Sequence, residues 1–153
     1  MSLQARVRNA DFLSRRMSAA QAAQLIEHGA TLGLSGFTGA GYPKALPQAI
    51  AERARAEHAA GRPFQVNVWT GASTAPEVDG ALAQAGAMAQ RLPFNSDAST
   101  RQQINAGTID YIDMHLSHVA QQAWFGFLGK LDVAIVEVAG ITPDGRLIPS
   151  TAV

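Results

Sequence analysis

Short apolar segments alternate with segments of helical character along most of this 153-residue chain. The apolar segments predict strands at residues 31–35, 65–70, 91–94, 109–114 and 131–138. The segments between and before them predict helices at residues 18–27, 46–60, 77–90, 100–105 and 119–128. Repeated strand–helix units favour an α/β fold, in which an open, mostly parallel sheet carries helices on both faces.

The two ends of the chain carry signals of their own. Residues 1–16 hold four arginines against one aspartate, which predicts an N-terminal arm or first helix ahead of an α/β domain at residues 17–153. Residues 131–138, LDVAIVEV, give the strongest strand signal, and their nearly continuous apolar character predicts a parallel strand covered on both faces. A Pro-Asp-Gly turn signal within residues 142–148 predicts a terminal hairpin.

Composition excludes several classes of function. Twelve basic and twelve acidic residues cancel, so no basic field indicates a nucleic-acid partner or an anionic membrane surface. No apolar run approaches the roughly 20 residues of a membrane-spanning helix. The chain has no cysteine, which excludes disulfides and thiolate nucleophiles and fits the cytoplasmic location that we predict. Among the aromatic residues, we expect core or interface positions for Trp69, Trp124, Phe125 and Phe127.

A glycine-rich loop follows the first predicted strand. Residues 36–44 read GFTGAGYPK, and the candidate binding positions are Gly36, Phe37, Thr38, Gly39, Ala40 and Gly41. Such a loop lets backbone amides approach an anionic or carbonyl-bearing ligand, and we expect positive φ or close packing at one or more of its glycines. The glycine spacing is the reverse of a dinucleotide fingerprint, and no Ser or Thr follows Lys44 as in a phosphate-binding P-loop. A tight strand-to-helix connection with Pro43 in the first helical turn remains the alternative.

Two serines follow later strands. Ser73 lies in GASTAP and Ser96 lies in FNSD. Because the carboxyl ends of parallel strands share one edge of a sheet, we expect both serines to converge there with the glycine-rich loop. Turn and helix-cap chemistry is the alternative for both residues, since the segment that follows Ser96 predicts a helix.

Three other chemistries are considered and disfavoured. Asp113, His115 and His118 lack a nearby further ligand for a metal site, so hydrogen-bonded histidines are favoured and no metal is predicted. The segment around Ser73 lacks the final glycine of a serine-hydrolase nucleophile elbow. Glu137 ends the strongest predicted strand and is a candidate nucleophile, but a carboxylate in that position is often paired or hydrogen-bonded structure.

Five segments in order carry a family resemblance. From about residue 17 to the end, the chain resembles the N-terminal portion of the acetyl-CoA hydrolase/transferase family. These are class I CoA-transferases that include succinyl-CoA:acetate and 4-hydroxybutyrate CoA-transferases. The matching segments are SGFTGAGYPK at 35–44, TGASTAPEVDG at 70–80, LPFNSD at 92–97, INAGTIDYIDMHLSHVAQQ at 104–122 and GITPDGRLIPSTAV at 140–153.

The resemblance implies a chemistry and a site. A glutamate attacks the thioester carbonyl of an acyl-CoA, and a mixed anhydride and a glutamyl-CoA thioester follow. That glutamate belongs to a second α/β half, beyond Val153, so no catalytic residue is expected in this chain and the chain alone is expected to be inactive. Ser73 and Ser96 match positions near the acyl-carboxylate pocket, and Ser96 stands where some relatives have Thr.

The resemblance also implies the ligands and partners. Coenzyme A is expected as a substrate, with no permanently bound cofactor and no metal. The expected partners are an acyl-CoA, a small carboxylate, and the missing C-terminal half or a second copy of the chain. A stand-alone, non-catalytic binding or scaffold domain remains the alternative function. The sequence does not identify the acyl donor or the acceptor, and it does not distinguish a transferase from a hydrolase.

Overall fold

Five strands form one parallel sheet. The computed structural model describes residues 2–72 and 75–150. The spatial order of the strands is β4-β3-β2-β1-β5, and every pair of neighbours is parallel. Their bounds are β1 Thr31–Leu34, β2 Val66–Thr70, β3 Met88–Leu92, β4 Asp110–Tyr111 and β5 Val133–Ile135. The α/β prediction is therefore confirmed, and every strand of this sheet runs in the same direction.

Helices lie on both faces of this sheet. Connections from β1 to β4 advance one strand at a time, whereas the connection from β4 to β5 returns across the sheet to its opposite edge, where β5 pairs with β1. The helices are α1 Leu3–Arg6, α2 Ala10–Ser14, α3 Ala19–Gln24, α4 Ala45–Ala59, α5 Ala81–Gln84, α6 Ala98–Asn105 and α7 Leu116–Trp124. A π-helical turn, Pro76–Gly80, leads directly into α5.

The core lies on the face that α4 covers. Leu32 of β1 and Val68 of β2 are register partners, and both belong to one buried cluster with Ile50 and Ala54 of α4. Full burial of each larger aliphatic side chain contributes about 1.5–3 kcal/mol. The α3 helix extends this layer, because Arg53 Nη1 of α4 donates a 2.6 Å hydrogen bond to the last turn of α3.

The opposite face is covered only in part. Gly33 and Trp69 are register partners and lie outside the core cluster. They line a cavity on this face together with Leu116 and Val119 of α7. The α7 helix itself has no buried residue. At the end of α7 and just after it, three aromatic side chains are exposed, namely Trp124 to 88%, Phe125 to 64% and Phe127 to 74%. These three are not in the core of the described structure.

The predicted helix at 77–90 is wrong at its C-terminal end. The helical segment ends at Gln84, and the chain reverses at Gly86, whose φ is +63°. Such a left-handed glycine ends a helix readily because it has no Cβ. Strand β3 then begins at Met88, three residues before the predicted start, and runs to Leu92.

The strand predicted at 131–138 is also shorter than expected. Only Val133–Ile135 pairs with β1, at the edge of the sheet, and β5 is not covered on both faces because Ala134 is exposed. The apolar run continues into a separate antiparallel hairpin, formed by β6 Val138–Ile141 and β7 Leu147–Pro149. The predicted terminal hairpin is confirmed, with its turn at residues 142–146.

The N-terminal segment packs beside this hairpin. Arg8 N donates a 3.0 Å hydrogen bond to Ile141 O, and Asn9 Nδ2 donates a 2.9 Å hydrogen bond to Pro143 O. The segment therefore forms α1 and α2 against β6, while its division from the rest of the chain as a separate domain stays a prediction. Within residues 2–72 and 75–150, no helix is long and apolar enough to cross a membrane.

Candidate functional site

The carboxyl ends of the parallel strands place several loops at one edge of the sheet. This edge is where open α/β sheets bind ligands. The glycine-rich loop follows β1, residues 71–76 follow β2, residues 93–97 follow β3, and Glu137 follows β5. Loops that are distant in sequence therefore meet at the edge that the sequence analysis selected.

The glycine-rich loop has the backbone conformation expected of it. Gly36 has a φ of +128° and Gly41 a φ of +66°, which confirms the prediction of positive φ. Thr38 also has a positive φ, +49°, which is uncommon for a residue with a β-branched side chain. Gly39 does not share this conformation, and a Cβ added there would meet nothing within 4 Å.

Hydrogen bonds hold this loop against its neighbour. Phe37 and Ala40 exchange backbone hydrogen bonds of 2.9 and 3.0 Å, which close the loop on itself. Thr38 N donates a 3.0 Å hydrogen bond to Ala72 O in the loop after β2. Ser73, the next residue, lies outside the described residues, so its predicted place in the site is not tested.

A charged cluster joins the loops after β1, β2 and β5. Lys44 Nζ lies 3.0 Å from Glu137 Oε2 and donates a 3.1 Å hydrogen bond to Tyr42 O. The Tyr42 hydroxyl donates a 3.0 Å hydrogen bond to Glu77 Oε2. The Lys44 ammonium also lies 4.1 Å from the centre of the Tyr42 ring, within cation–π range.

This cluster shifts two pKa values upward. The hydrogen bond to Glu137 is the main cause that raises the pKa of Lys44. Burial, followed by the hydrogen bond to Glu77, raises the pKa of the Tyr42 hydroxyl. Both groups therefore keep their protons near neutral pH, Lys44 as a cation and Tyr42 as a hydrogen-bond donor.

A fully buried ion pair supports the loop after β2. Arg91 Nε donates a 2.6 Å hydrogen bond to Asp79 Oδ1, and neither side chain is exposed. Arg91 Nη1 also donates a 3.0 Å hydrogen bond to Thr70 Oγ1 and a hydrogen bond to Leu92 O. Asp79 Oδ2 accepts a 3.1 Å hydrogen bond from Ala75 N. The pair therefore binds both ends of the segment that contains Ser73.

Ser96 lies at the same edge but beside a different loop. It lines a cavity of about 230 Å³ with Ala75, Pro76 and Ala98, and no described residue of the glycine-rich loop lines that cavity. Asp97, not Ser96, caps α6, because Asp97 Oδ1 accepts hydrogen bonds from Thr100 N at 2.9 Å and Thr100 Oγ1 at 3.2 Å. The ligand role of Ser96 stays a prediction.

A larger cavity opens beside the glycine-rich loop. It measures about 430 Å³ and reaches from Ser35 and Gly71 across Trp69 to the inner side of α7. The Trp69 Nε1 atom is buried and has no hydrogen-bond partner in the described part of the chain. The walls of the cavity are mainly apolar, so the cavity offers space for an apolar group next to the loop.

The histidines of the 113–118 segment contact each other and a serine. The His115 and His118 rings lie 5.3 Å apart, and His115 Nδ1 lies 2.8 Å from Ser117 Oγ. Among the described residues, no three His, Asp or Glu side chains are close enough to hold a metal ion.

Sequence reasoning missed four residues that shape this edge: Tyr42, Glu77, Asp79 and Arg91. Two signals in the sequence could have found the buried pair. Arg91 interrupts the otherwise mainly apolar strand β3, and Asp79 lies among small and apolar residues in the segment from Val78 to Ala83. Charged residues in such positions are rarely buried unless paired.

Solved structures share this fold. RipA from Yersinia pestis aligns with a TM-score of 0.55 and 20% identity, over 77% of this chain and 27% of that one. The glutaconate coenzyme A-transferase from Acidaminococcus fermentans aligns with a TM-score of 0.55 and 17% identity, over 73% of this chain and 35% of that one. At these identities the likeness concerns the fold alone.

Relatives in sequence are more similar but much longer. The chain is 45% identical to the propanoyl-CoA:succinate CoA transferase of Escherichia coli over 86% of its length, and 40% identical to the succinyl-CoA:acetate CoA-transferase of Clostridium kluyveri over 97%. It is 34% identical to the acetyl-CoA hydrolase of Yarrowia lipolytica over 99%. The chain spans only 27–30% of the length of these three relatives. The family model of the acetyl-CoA hydrolase/transferase N-terminal domain matches residues 1–153, and the chain belongs to that family.

Proposed function

We propose that this chain forms the N-terminal part of an acyl-CoA:carboxylate CoA-transferase or acetyl-CoA hydrolase. Its glycine-rich loop, Ser73 and Ser96 line the cleft that binds the acyl carboxylate and coenzyme A. The nucleophilic glutamate lies in the part of the relatives' length that this chain does not span. Family membership and the relatives' names support the reaction class.

One feature of the glycine-rich loop carries the proposal. The backbone N–H groups of Phe37, Thr38 and Ala40 donate hydrogen bonds within the protein. Gly39 is exposed, and its N–H donates to no group in residues 2–72 and 75–150. An exposed backbone amide without a partner among the described residues is suited to bind a carboxylate or a thioester oxygen.

The chemistry needs such a donor. When a carboxylate attacks a thioester, negative charge develops on the carbonyl oxygen, and preorganised N–H groups stabilise that charge. The apolar cavity beside Ser35 and Gly71 offers space for a short acyl chain. Coenzyme A then acts as a substrate, no permanently bound cofactor is required, and the chemistry takes place in the cytoplasm.

A chimera tests the proposal. This chain would replace the matching N-terminal segment of the Clostridium kluyveri enzyme, which is 40% identical to it. We expect the chimera to transfer coenzyme A from succinyl-CoA to acetate, while the 153-residue chain alone shows no transfer. A properly folded chimera without activity would instead favour a non-catalytic binding or scaffold domain.

Ser96 provides a second arm of the test. In the active chimera, Ser96→Ala should raise the KM for the carboxylate, because a hydroxyl near the acyl pocket is lost. Ser99→Ala is the matched control, since Ser99 lies on α6 and accepts a hydrogen bond from Gln84 at 3.2 Å. Equal kinetics for the two variants would remove Ser96 from the site.

A further inference from the structure

We propose that Ser35, Lys44 and Glu137 act together as positioning residues, a latch that holds the glycine-rich loop at residues 36–41 in its binding conformation. The latch deepens the proposed function, since it concerns the same loop. It also predicts that the loop is ordered by these three residues, and loop order can be measured without any ligand.

The loop needs external support. Gly36 and Thr38 both have positive φ, and the β-branched Thr38 populates that region only under constraint. Inside the loop, the described hydrogen bonds are the two exchanged by Phe37 and Ala40. Two short backbone bonds hold a segment of this kind weakly against solvent, so contacts from outside the loop decide its order.

Beside the backbone hydrogen bond from Thr38 N to Ala72 O, Ser35 supplies the first side-chain contact. Its hydroxyl donates a 2.8 Å hydrogen bond to Gly41 O at the far end of the loop. The same hydroxyl oxygen accepts a 3.0 Å hydrogen bond from Glu137 N, two residues after β5. One hydroxyl therefore closes the base of the loop and ties that base to the neighbouring strand.

Lys44 and Glu137 supply the second contact. The Lys44 ammonium bridges Glu137 Oε2 and Tyr42 O, at 3.0 and 3.1 Å. The two side chains are 51% and 34% exposed, so water weakens the attraction but does not remove it. Both contacts therefore involve Glu137. Ser35 binds its backbone N–H, and Lys44 binds its side-chain carboxylate.

This geometry gives Glu137 a positioning role in place of the nucleophilic one considered from the sequence. One carboxylate oxygen, Oε2, is occupied by Lys44, and the backbone N–H is occupied by Ser35. A carboxylate held in an ion pair is a weaker nucleophile than a free one. Glu137 is therefore expected to act through the loop.

Hydrogen exchange of the 153-residue protein, without ligand, tests the latch. The reporters are the hydrogen-bonded amides of Phe37, Thr38, Ala40 and Glu137, and the reference is the core amide of Val66, which donates to Ala87 O at 2.8 Å. Ser35→Ala, Lys44→Met and Glu137→Gln should each accelerate exchange at the reporters by about threefold to tenfold, and leave Val66 unchanged. Lys44→Arg should keep the wild-type rates because it retains the ion pair.

A matched control uses the other end of β5. Lys130 Nζ lies 2.8 Å from Asp132 Oδ1, in an ion pair that is also partly exposed and flanks the same strand. Lys130→Met should leave all four reporters unchanged. Wild-type exchange at the reporters in Lys44→Met and Glu137→Gln would overturn the latch. An equal acceleration at Val66 would overturn it too, because the variants would then loosen the whole fold.

Kinetics of the chimera separate the latch from the proposed function. The variants should raise the KM for succinyl-CoA by about threefold to tenfold with kcat within about twofold, and Lys44→Arg should restore the KM. Wild-type KM values in variants whose loops exchange faster would overturn the positioning role. If the unmodified chimera is inactive, the proposed function fails, while the exchange data still decide whether the latch exists.

Discussion

Arg91 donates a 2.6 Å hydrogen bond to Asp79 across the interior of the protein, and neither side chain reaches solvent. The pair lies below the loop after β2, where it also binds Thr70 and Ala75. A charge in such a place needs its partner, because burying an unpaired ion is far more costly than burying a neutral group. The pair therefore couples the position of the loop after β2 to the stability of the fold.

Asp79→Asn should lower the free energy of unfolding by about 3–5 kcal/mol, since it leaves the Arg91 guanidinium buried without its counter-charge. Urea denaturation measures the change. Asp144→Asn is the control, because the exposed Asp144–Arg146 pair contributes at most about 1 kcal/mol. Similar losses for the two variants would mean that the buried pair does not support the fold.

Gly36→Ala should destabilise the protein by about 1–3 kcal/mol, since a φ of +128° is essentially restricted to glycine. Gly39→Ala is the matched variant within the same loop. Its backbone is not in the left-handed region and its Cβ would meet no atom within 4 Å, so its stability should stay within about 0.5 kcal/mol of wild type. Thermal unfolding of both variants measures the difference, and equal stabilities would contradict the loop conformation.

The stability of the protein should fall at alkaline pH, in part through Tyr42. Its folded-state pKa is raised above the ordinary 10.0, first by burial and then by the hydrogen bond to Glu77. The contribution is fully present below the unfolded-state pKa and is lost as pH rises through the folded-state pKa. Lys44, whose pKa is also raised, acts in the same direction.

Tyr42→Phe isolates the tyrosine contribution to this pH dependence. As pH rises above about 10, the variant should lose less stability than the wild type, because it has no phenolic proton to release. Urea midpoints across this range measure the slopes. Parallel slopes for the two proteins would show that Tyr42 does not share in the alkaline transition.

The exposed aromatic residues at the C-terminal end of α7 should cause the purified chain to self-associate. Trp124, Phe125 and Phe127 are mostly exposed, next to a sheet face that α7 covers only in part. Large exposed apolar patches favour association. Sedimentation velocity should show concentration-dependent association that Trp124→Ser and Phe127→Ser reduce, whereas Leu25→Ser, an exposed leucine on the other side of the fold near α3, should not.

Local signals in the sequence predicted several elements well. Ser18, the first residue of the helix predicted at 18–27, caps α3 through a capping box with Gln21. The α4 helix at Ala45–Ala59 differs by one residue at each end from the prediction. These elements are set by residues that are neighbours in sequence, and local patterns therefore suffice for them.

Other features depend on residues that are distant in sequence. The run LDVAIVEV reads as a central strand, but its place at the sheet edge follows from the order of all five strands. The contacts of Glu137 with Ser35 and Lys44 span 102 and 93 residues, and no local pattern indicates them. The strand predicted at 109–114 shortens to Asp110–Tyr111, since only those residues pair with β3.

The loops of this chain are proposed to complete a site whose nucleophile lies outside residues 1–153. Peptide mapping by mass spectrometry of the active chimera, quenched during turnover with succinyl-CoA, tests this claim most directly. We predict a coenzyme A thioester on a glutamate of the Clostridium kluyveri portion, and none on peptides of this chain. A coenzyme A adduct on Glu137, lost in Glu137→Gln together with turnover, would contradict the account and place the chemistry inside this domain.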